Sequence, residues 1–128
     1  MRRILLTALT VAVAAVATVR AHHGYADFFT TRATTIDGQI EEVAFANPHV
    51  LLKVRTREGI VTAIWESPNS LSRRGVLVTT LRVGDHVLVT GSPPRNEFSH
   101  ELALLSEIRR PSDNWSWTNP RRSSQYTN

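Results

Sequence analysis

The chain has 128 residues, no cysteine and a formal net charge of +4. This length suffices for one small domain, and the lack of cysteine excludes disulfides, thiolate metal sites and thiol catalysis. The charge is unevenly placed, because residues 22–108 carry eight basic and ten acidic residues. Such a body lacks the basic surface that nucleic acids select, so no nucleic acid partner is predicted.

Residues 1–21 have the pattern of a secretory signal peptide. Arg2 and Arg3 precede an apolar run that extends from Ile4 to Val19, and a small residue, Ala21, follows. The run is short for a membrane span and is interrupted by threonines; an uncleaved anchor is the alternative. We predict cleavage after Ala21, delivery to the periplasm or the medium, and no stable membrane span in the processed chain.

Cleavage after Ala21 would make His22 the first residue, with His23 directly behind it. A leading histidine offers an α-amine and an imidazole nitrogen that can chelate one metal ion. The following residues, 24–32, contain aromatic side chains without a regular period and are predicted to pack across the domain as an arm.

Three β-strands are predicted between residues 34 and 66. Residues 34–45 alternate in polarity but change parity midway, which indicates a bulge or bend, and Gly38 suits such a bend. A second strand is predicted at 49–55. A turn containing Gly59 leads to a third strand at 60–66, which is rich in β-branched residues.

Helix signals occupy residues 67–75. Ser67 suits the N-cap, Pro68 the first helical position, and Gly75 the left-handed residue that ends a helix. A helix of about two turns is therefore predicted here.

Two further strands are predicted after the helix, at 86–91 and 100–108. Residues 111–128 form a polar tail without a regular period, although Trp115 and Trp117 indicate that part of it docks on the domain. Residues 22–110 are the predicted domain.

Three strands, a short helix and two strands predict an all-β fold. A bent first strand and a helix between strands 3 and 4 are typical of a small five-stranded OB-like Greek-key barrel. The alternatives are a small β-sandwich and an SH3-like barrel with the same number of strands.

The histidines are the candidate metal ligands. We predict a site that combines His22, including its α-amine, with a remote imidazole, and His23 as an auxiliary donor. His49, which follows Asn47-Pro48, is the preferred remote ligand and His100 is the second choice. Amine and imidazole nitrogens favour copper(II), and zinc less distinctively.

Trp65 and Glu66 are the candidate pocket residues. Glu66 follows an apolar strand and precedes the helix, so its carboxylate can orient a metal-binding histidine. It can also stabilise the positive N-terminus of the helix, which is the structural interpretation and the favoured one. No hydrolase motif such as G-x-S-x-G or H-E-x-x-H is present, and no enzymatic activity is favoured.

These residues together resemble a family of small exported bacterial proteins of unknown function. The resemblance covers about residues 22–108 and consists of His22-His23-Gly24-Tyr25-Ala26, Gly38-Gln39-Ile40, Asn47-Pro48-His49, Trp65-Glu66-Ser67-Pro68-Asn69, Leu71, Arg73, Gly75 and the run from Leu81 to Gly91. Gly24, Tyr25 and Val76 depart from the family pattern, and none of them is a proposed ligand. The resemblance implies export and a single domain, and it implies no activity.

Two hypotheses follow. The first is a periplasmic binding protein that takes copper(II) through His22 and His49. The second is a metal-free OB-type interaction module that binds a protein or a small ligand.

Overall fold

A computed structural model describes residues 24–126. A short 3₁₀ turn at Tyr25–Asp27 precedes the first strand. The strands and helices are, in chain order, β1 (Thr34–Ala44), β2 (Leu51–Arg55), β3 (Ile60–Ile64), α1 (Pro68–Ser72), β4 (His86–Ser92), β5 (Glu101–Arg110), β6 (Trp115–Thr118) and α2 (Pro120–Ser123).

Strands β1 to β5 close into a barrel. Their order is β3-β2-β1-β4-β5, and the barrel closes where β3 and β5 pair in parallel, Thr62 opposite Glu101 and Ala63 opposite Leu102. All other strand pairs in the sheet are antiparallel. With α1 between β3 and β4, this architecture confirms the predicted all-β, OB-like barrel.

β1 is long and serves two neighbours. Residues 34–39 pair with β4 and residues 39–44 with β2, and the β1–β2 register shifts between Ile40 and Glu42. A Cβ built on Gly38 would lie 2.1 Å from the carbonyl oxygen of Arg55. The bend predicted near Gly38 is therefore present, and the glycine permits a close approach of two backbones.

The barrel interior is a single apolar cluster. The alternating pattern of β2 buries Leu52 and Val54, whereas β5 is buried on both sides over residues 102–106. Leu71, from α1, is fully buried in the same cluster. Each such side chain contributes roughly 1.5–3 kcal/mol by leaving water.

Helix α1 begins as the sequence predicts but is shorter. The Ser67 hydroxyl accepts a hydrogen bond from the Ser70 backbone N–H, and Pro68 occupies the first turn. The helix ends at Ser72, and a turn continues to Gly75, whose φ is +81°. Beyond Ser72 the hydrogen bonds span three residues, from the Arg74 N–H to the Leu71 oxygen and from the Gly75 N–H to the Ser72 oxygen, so the second predicted turn is tighter than an α-helix.

Beyond residue 110 the chain forms a sixth strand that the sequence analysis does not predict. β6 pairs with residues 107–110 of β5, and Trp117 is buried in the barrel cluster. The expectation that part of the tail docks through its tryptophans is confirmed, because Trp117 belongs to the cluster and Trp115 packs against it. Within residues 24–126, no helix is long and apolar enough to cross a membrane.

Candidate functional site

His49 lies between β1 and β2, just before β2 begins, and is half-buried. Its Nδ1 is 3.1 Å from the backbone oxygen of Trp65. Because a carbonyl oxygen only accepts hydrogen bonds, Nδ1 carries the proton in the neutral ring. The lone pair is then on Nε2, for which the described chain provides no hydrogen-bond partner.

His100 and His86 are elsewhere on the barrel. The His100 carbonyl accepts a hydrogen bond from the Thr62 backbone N–H. In contrast, Val50, the residue after His49, donates its backbone N–H to the Glu66 carbonyl. Four residues of extended chain separate Thr62 from Glu66, about 13 Å, and β2 and β5 flank opposite edges of β3. The backbones of His49 and His100 are therefore separated along β3 and lie on its two sides.

His86 is exposed and its Nε2 lies 2.6 Å from a carboxylate oxygen of Asp37. The two residues face a wide groove along β1. His86 is thus an exposed histidine of the barrel surface.

His22 and His23 lie outside the described residues, so the predicted N-terminal ligands stay a prediction. Among residues 24–126, no group of three or more histidine, aspartate or glutamate side chains is placed to hold a metal ion.

A cleft of about 230 Å³ is lined by the predicted pocket residues Trp65 and Glu66. It lies where β5 leaves β3 and has not yet paired with β6. The remaining lining residues come from the N-terminal arm, β3, β5 and the C-terminal segment: Tyr25, Ile64, Leu104, Leu105, Asn119 and Arg122.

The Glu66 carboxylate joins three parts of the chain. One oxygen accepts from the Asn119 side-chain amide at 3.0 Å and pairs with Arg74 at 2.5 Å. The other oxygen accepts from the Ser70 hydroxyl at 2.5 Å. Glu66 thus ties the end of β3 to α1 and to the C-terminal segment, which supports the structural interpretation.

The His49 ring is oriented by the Trp65 carbonyl and not by the Glu66 carboxylate.

Trp65 and Trp117 form the floor beneath this network. Their rings make an edge-to-face contact at 5.1 Å between centroids with an interplanar angle of 82°. The Arg74 guanidinium lies 4.8 Å from the Trp117 ring centroid, a cation–π contact. Both indole N–H groups are buried and lack a hydrogen-bond partner in the described chain.

Leu104, in the cleft wall, has a left-handed backbone conformation with φ of +50°. It lies where the β4–β5 register shifts between Thr90 and Ser92. Strained residues and bulges concentrate at functional sites. Its backbone oxygen accepts from the Tyr126 hydroxyl at 3.3 Å, which holds the chain end against this wall.

Sequence reasoning identified two of the cleft residues and missed the others. Asn119 carries one local signal, since it precedes Pro120 and caps α2 by accepting from the Arg121 backbone N–H. Tyr25, Leu104 and Arg122 carry no signal that distinguishes them, because only the fold brings them together.

The barrel and cleft define a small OB-like domain with a candidate site at one edge of the closed sheet. The chain belongs to the family of unknown function DUF6152, which it matches over residues 8–103. No curated protein matches the chain.

Solved structures of TiaS, the tRNAIle2 agmatidine synthetase, are similar in part. The ZRD-deleted mutant with agmatine has a TM-score of 0.47 and 25% identity, over 62% of this chain and 21% of TiaS. The apo enzyme has a TM-score of 0.46 and 25% identity, over 62% of this chain and 18% of the enzyme. The chain therefore spans about a fifth of the length of these proteins.

Proposed function

We propose that the protein is an exported, periplasmic copper(II)-binding protein that uses nitrogen ligands from a processed N-terminus and from His49. The observation that carries this proposal is the hydrogen bond between His49 Nδ1 and the Trp65 carbonyl. In protein metal sites, the ring nitrogen that does not bind the metal commonly donates to a carbonyl or carboxylate, which fixes the tautomer. His49 is therefore prepared to bind through Nε2.

The other ligands are the α-amine and imidazole of His22, with His23 as an auxiliary donor. Their availability depends on cleavage after Ala21, as the signal-peptide pattern predicts. A set of amine and imidazole nitrogens favours copper(II) over zinc. His100 is the second choice for the remote imidazole.

The proposal places one requirement on the N-terminal segment. Tyr25 lines the same cleft as Trp65, and the Trp65 carbonyl is in contact with the His49 ring. The three residues from His22 to Tyr25, which span at most about 11 Å, would have to bring the terminal nitrogens to the His49 ring.

The proposal is tested on protein exported from the full-length chain. Intact mass identifies the first residue, which should be His22. Calorimetric titration with copper(II) should give one equivalent, and electron paramagnetic resonance should show nitrogen ligation. His49→Ala, or one alanine inserted before His22, should weaken binding by at least about 100-fold, since even loss of an outer partner costs tenfold to 100-fold.

His86→Ala is the matched control. His86 is an exposed histidine of the same barrel with its Nε2 on Asp37, so its removal should leave copper affinity unchanged. A first residue other than His22, or unchanged affinity in His49→Ala, would refute the proposed site. Preference for zinc over copper(II) in direct competition would refute the metal.

A second candidate function is a metal-free module that binds a small ligand. The cleft beside Trp65 and Glu66 favours it, because it combines apolar walls with polar side chains from three separate segments. In this case His49→Ala would leave ligand binding intact.

A further inference from the structure

We infer that the cleft beside Trp65 binds a small carboxylate, with Arg122 on the carboxylate group and the aliphatic wall on the hydrocarbon part. The inference rests on the second candidate function, small-ligand binding in this cleft, and does not require copper.

The hydrogen-bond acceptors of the cleft are already occupied. The Glu66 carboxylate accepts from Asn119, Arg74 and Ser70. The Asn119 amide gives one N–H to Glu66, and its oxygen accepts from the Arg121 backbone N–H. The strongest acceptors of the cleft are therefore already engaged by the protein's own donors, which disfavours a cationic or donor-rich ligand.

Hydrogen-bond donors of the cleft, in contrast to its acceptors, remain available to a ligand. The Arg122 guanidinium donates to the Gln125 side-chain oxygen at 3.1 Å and lies 6.0 Å from the Tyr25 ring centroid, whereas Glu66, the acidic residue that lines the cleft, pairs with Arg74. Its other N–H groups keep the planar arrangement that binds a carboxylate with two hydrogen bonds. Because Arg74, from outside the cleft lining, already balances the charge of Glu66, the Arg122 guanidinium favours an anionic ligand.

The apolar walls of the cleft favour an anion that has a hydrocarbon part. Ile64, Leu104 and Leu105 give the cleft an apolar side, and its volume of about 230 Å³ limits the ligand to a small molecule. A fully hydrated ion such as phosphate gains nothing from such walls, and one free guanidinium supplies few of the donors that phosphate needs. A singly charged carboxylate with a short hydrocarbon or aromatic part matches both features.

The test uses the processed protein, freed of metal with EDTA, and benzoate as the probe. Among the three tryptophans, Trp65 lines this cleft and Trp115 lines a different one. In ¹⁵N-labelled protein the Trp65 indole signal should move saturably as benzoate is added, while the Trp115 signal should stay in place. Arg122→Gln should weaken binding at least about tenfold, the effect of losing a charged hydrogen-bond partner.

Arg121→Gln is the matched control, since Arg121 is the exposed neighbour in the same helical turn and should leave benzoate affinity unchanged. Benzamide, which has the same shape without the charge, should bind far more weakly. Equal binding of benzamide, or tighter binding of phosphate, would overturn the carboxylate inference. Either result would still show that the cleft binds a ligand. No saturable shift with any of these probes would overturn both the inference and the second candidate function, whatever the copper titration shows.

Discussion

Replacement of Gly38 by alanine should destabilise the barrel where the backbones of β1 and β2 approach closely. The added Cβ would lie 2.1 Å from the Arg55 carbonyl oxygen, 2.8 Å from the Arg55 carbonyl carbon and 2.9 Å from a Val54 methyl carbon. Two of these atoms belong to the β2 backbone, which is held by pairing on both sides. The contact therefore cannot be relieved by rotating a side chain.

The size of the effect follows from these distances. Carbon and oxygen atoms in close contact normally lie about 3.3 Å apart, so β1 and β2 must separate by roughly 1.2 Å at this point. Overpacking typically costs about 1–3 kcal/mol, and a backbone obstacle places Gly38→Ala at the upper end. For a domain of this size, a loss of about 3 kcal/mol lowers the Tm by roughly 12–24 °C.

Thermal and urea unfolding, followed by the fluorescence of the buried tryptophans, measures this loss. Gly24→Ala is the matched control, because Gly24 has a φ of −69° and its Cβ would meet no atom closer than 4.0 Å. That variant should stay within about 0.5 kcal/mol of the parent. A loss of less than about 1 kcal/mol in the free energy of unfolding of Gly38→Ala would show that β1 and β2 separate easily at this point, which would refute the prediction.

Two further predictions concern charged groups. Glu66→Gln should lower the free energy of unfolding by about 1–2 kcal/mol, since it weakens charged hydrogen bonds that are partly exposed to water. Urea unfolding measures this loss, with Glu58→Gln as the control variant. Equal stability of the two variants would contradict the prediction. The hydrogen bond from Arg110 holds the pKa of Asp113 below its ordinary value, so this carboxylate stabilises the fold above its unfolded-state pKa and loses that effect as the pH falls through its folded-state pKa. In Arg110→Met, NMR titration should find a higher Asp113 pKa, and an unchanged one would refute the assignment.

The barrel could be predicted because its strands carry local signals. Alternating and β-branched runs indicate the five barrel strands, and Ser67, Pro68 and Gly75 mark the helix region. β6 was not predicted because its four residues, Trp115–Thr118, are too few to show a period and gain their stability from pairing with β5.

The candidate site was predicted only in part, for a related reason. Trp65 and Glu66 stand at the boundary between a strand and a helix, which a sequence displays. The partners of Glu66 include Asn119, 53 positions along the chain, and such contacts depend on tertiary packing. The orientation of His49 by the Trp65 carbonyl likewise depends on the β2–β3 register and has no counterpart in local sequence.

The short parallel contact between β3 and β5 has a consequence for solubility. It covers only Thr62, Ala63 and their two partners, so the outer hydrogen-bonding groups of β5 at residues 107–110 are shielded by β6 instead. A chain cut after residue 110 would present that stretch as an open strand edge, a template on which a second molecule can add its own strand. β6 replaces that edge with its own, which is only four residues long, and short edge strands offer less for a second molecule to pair with.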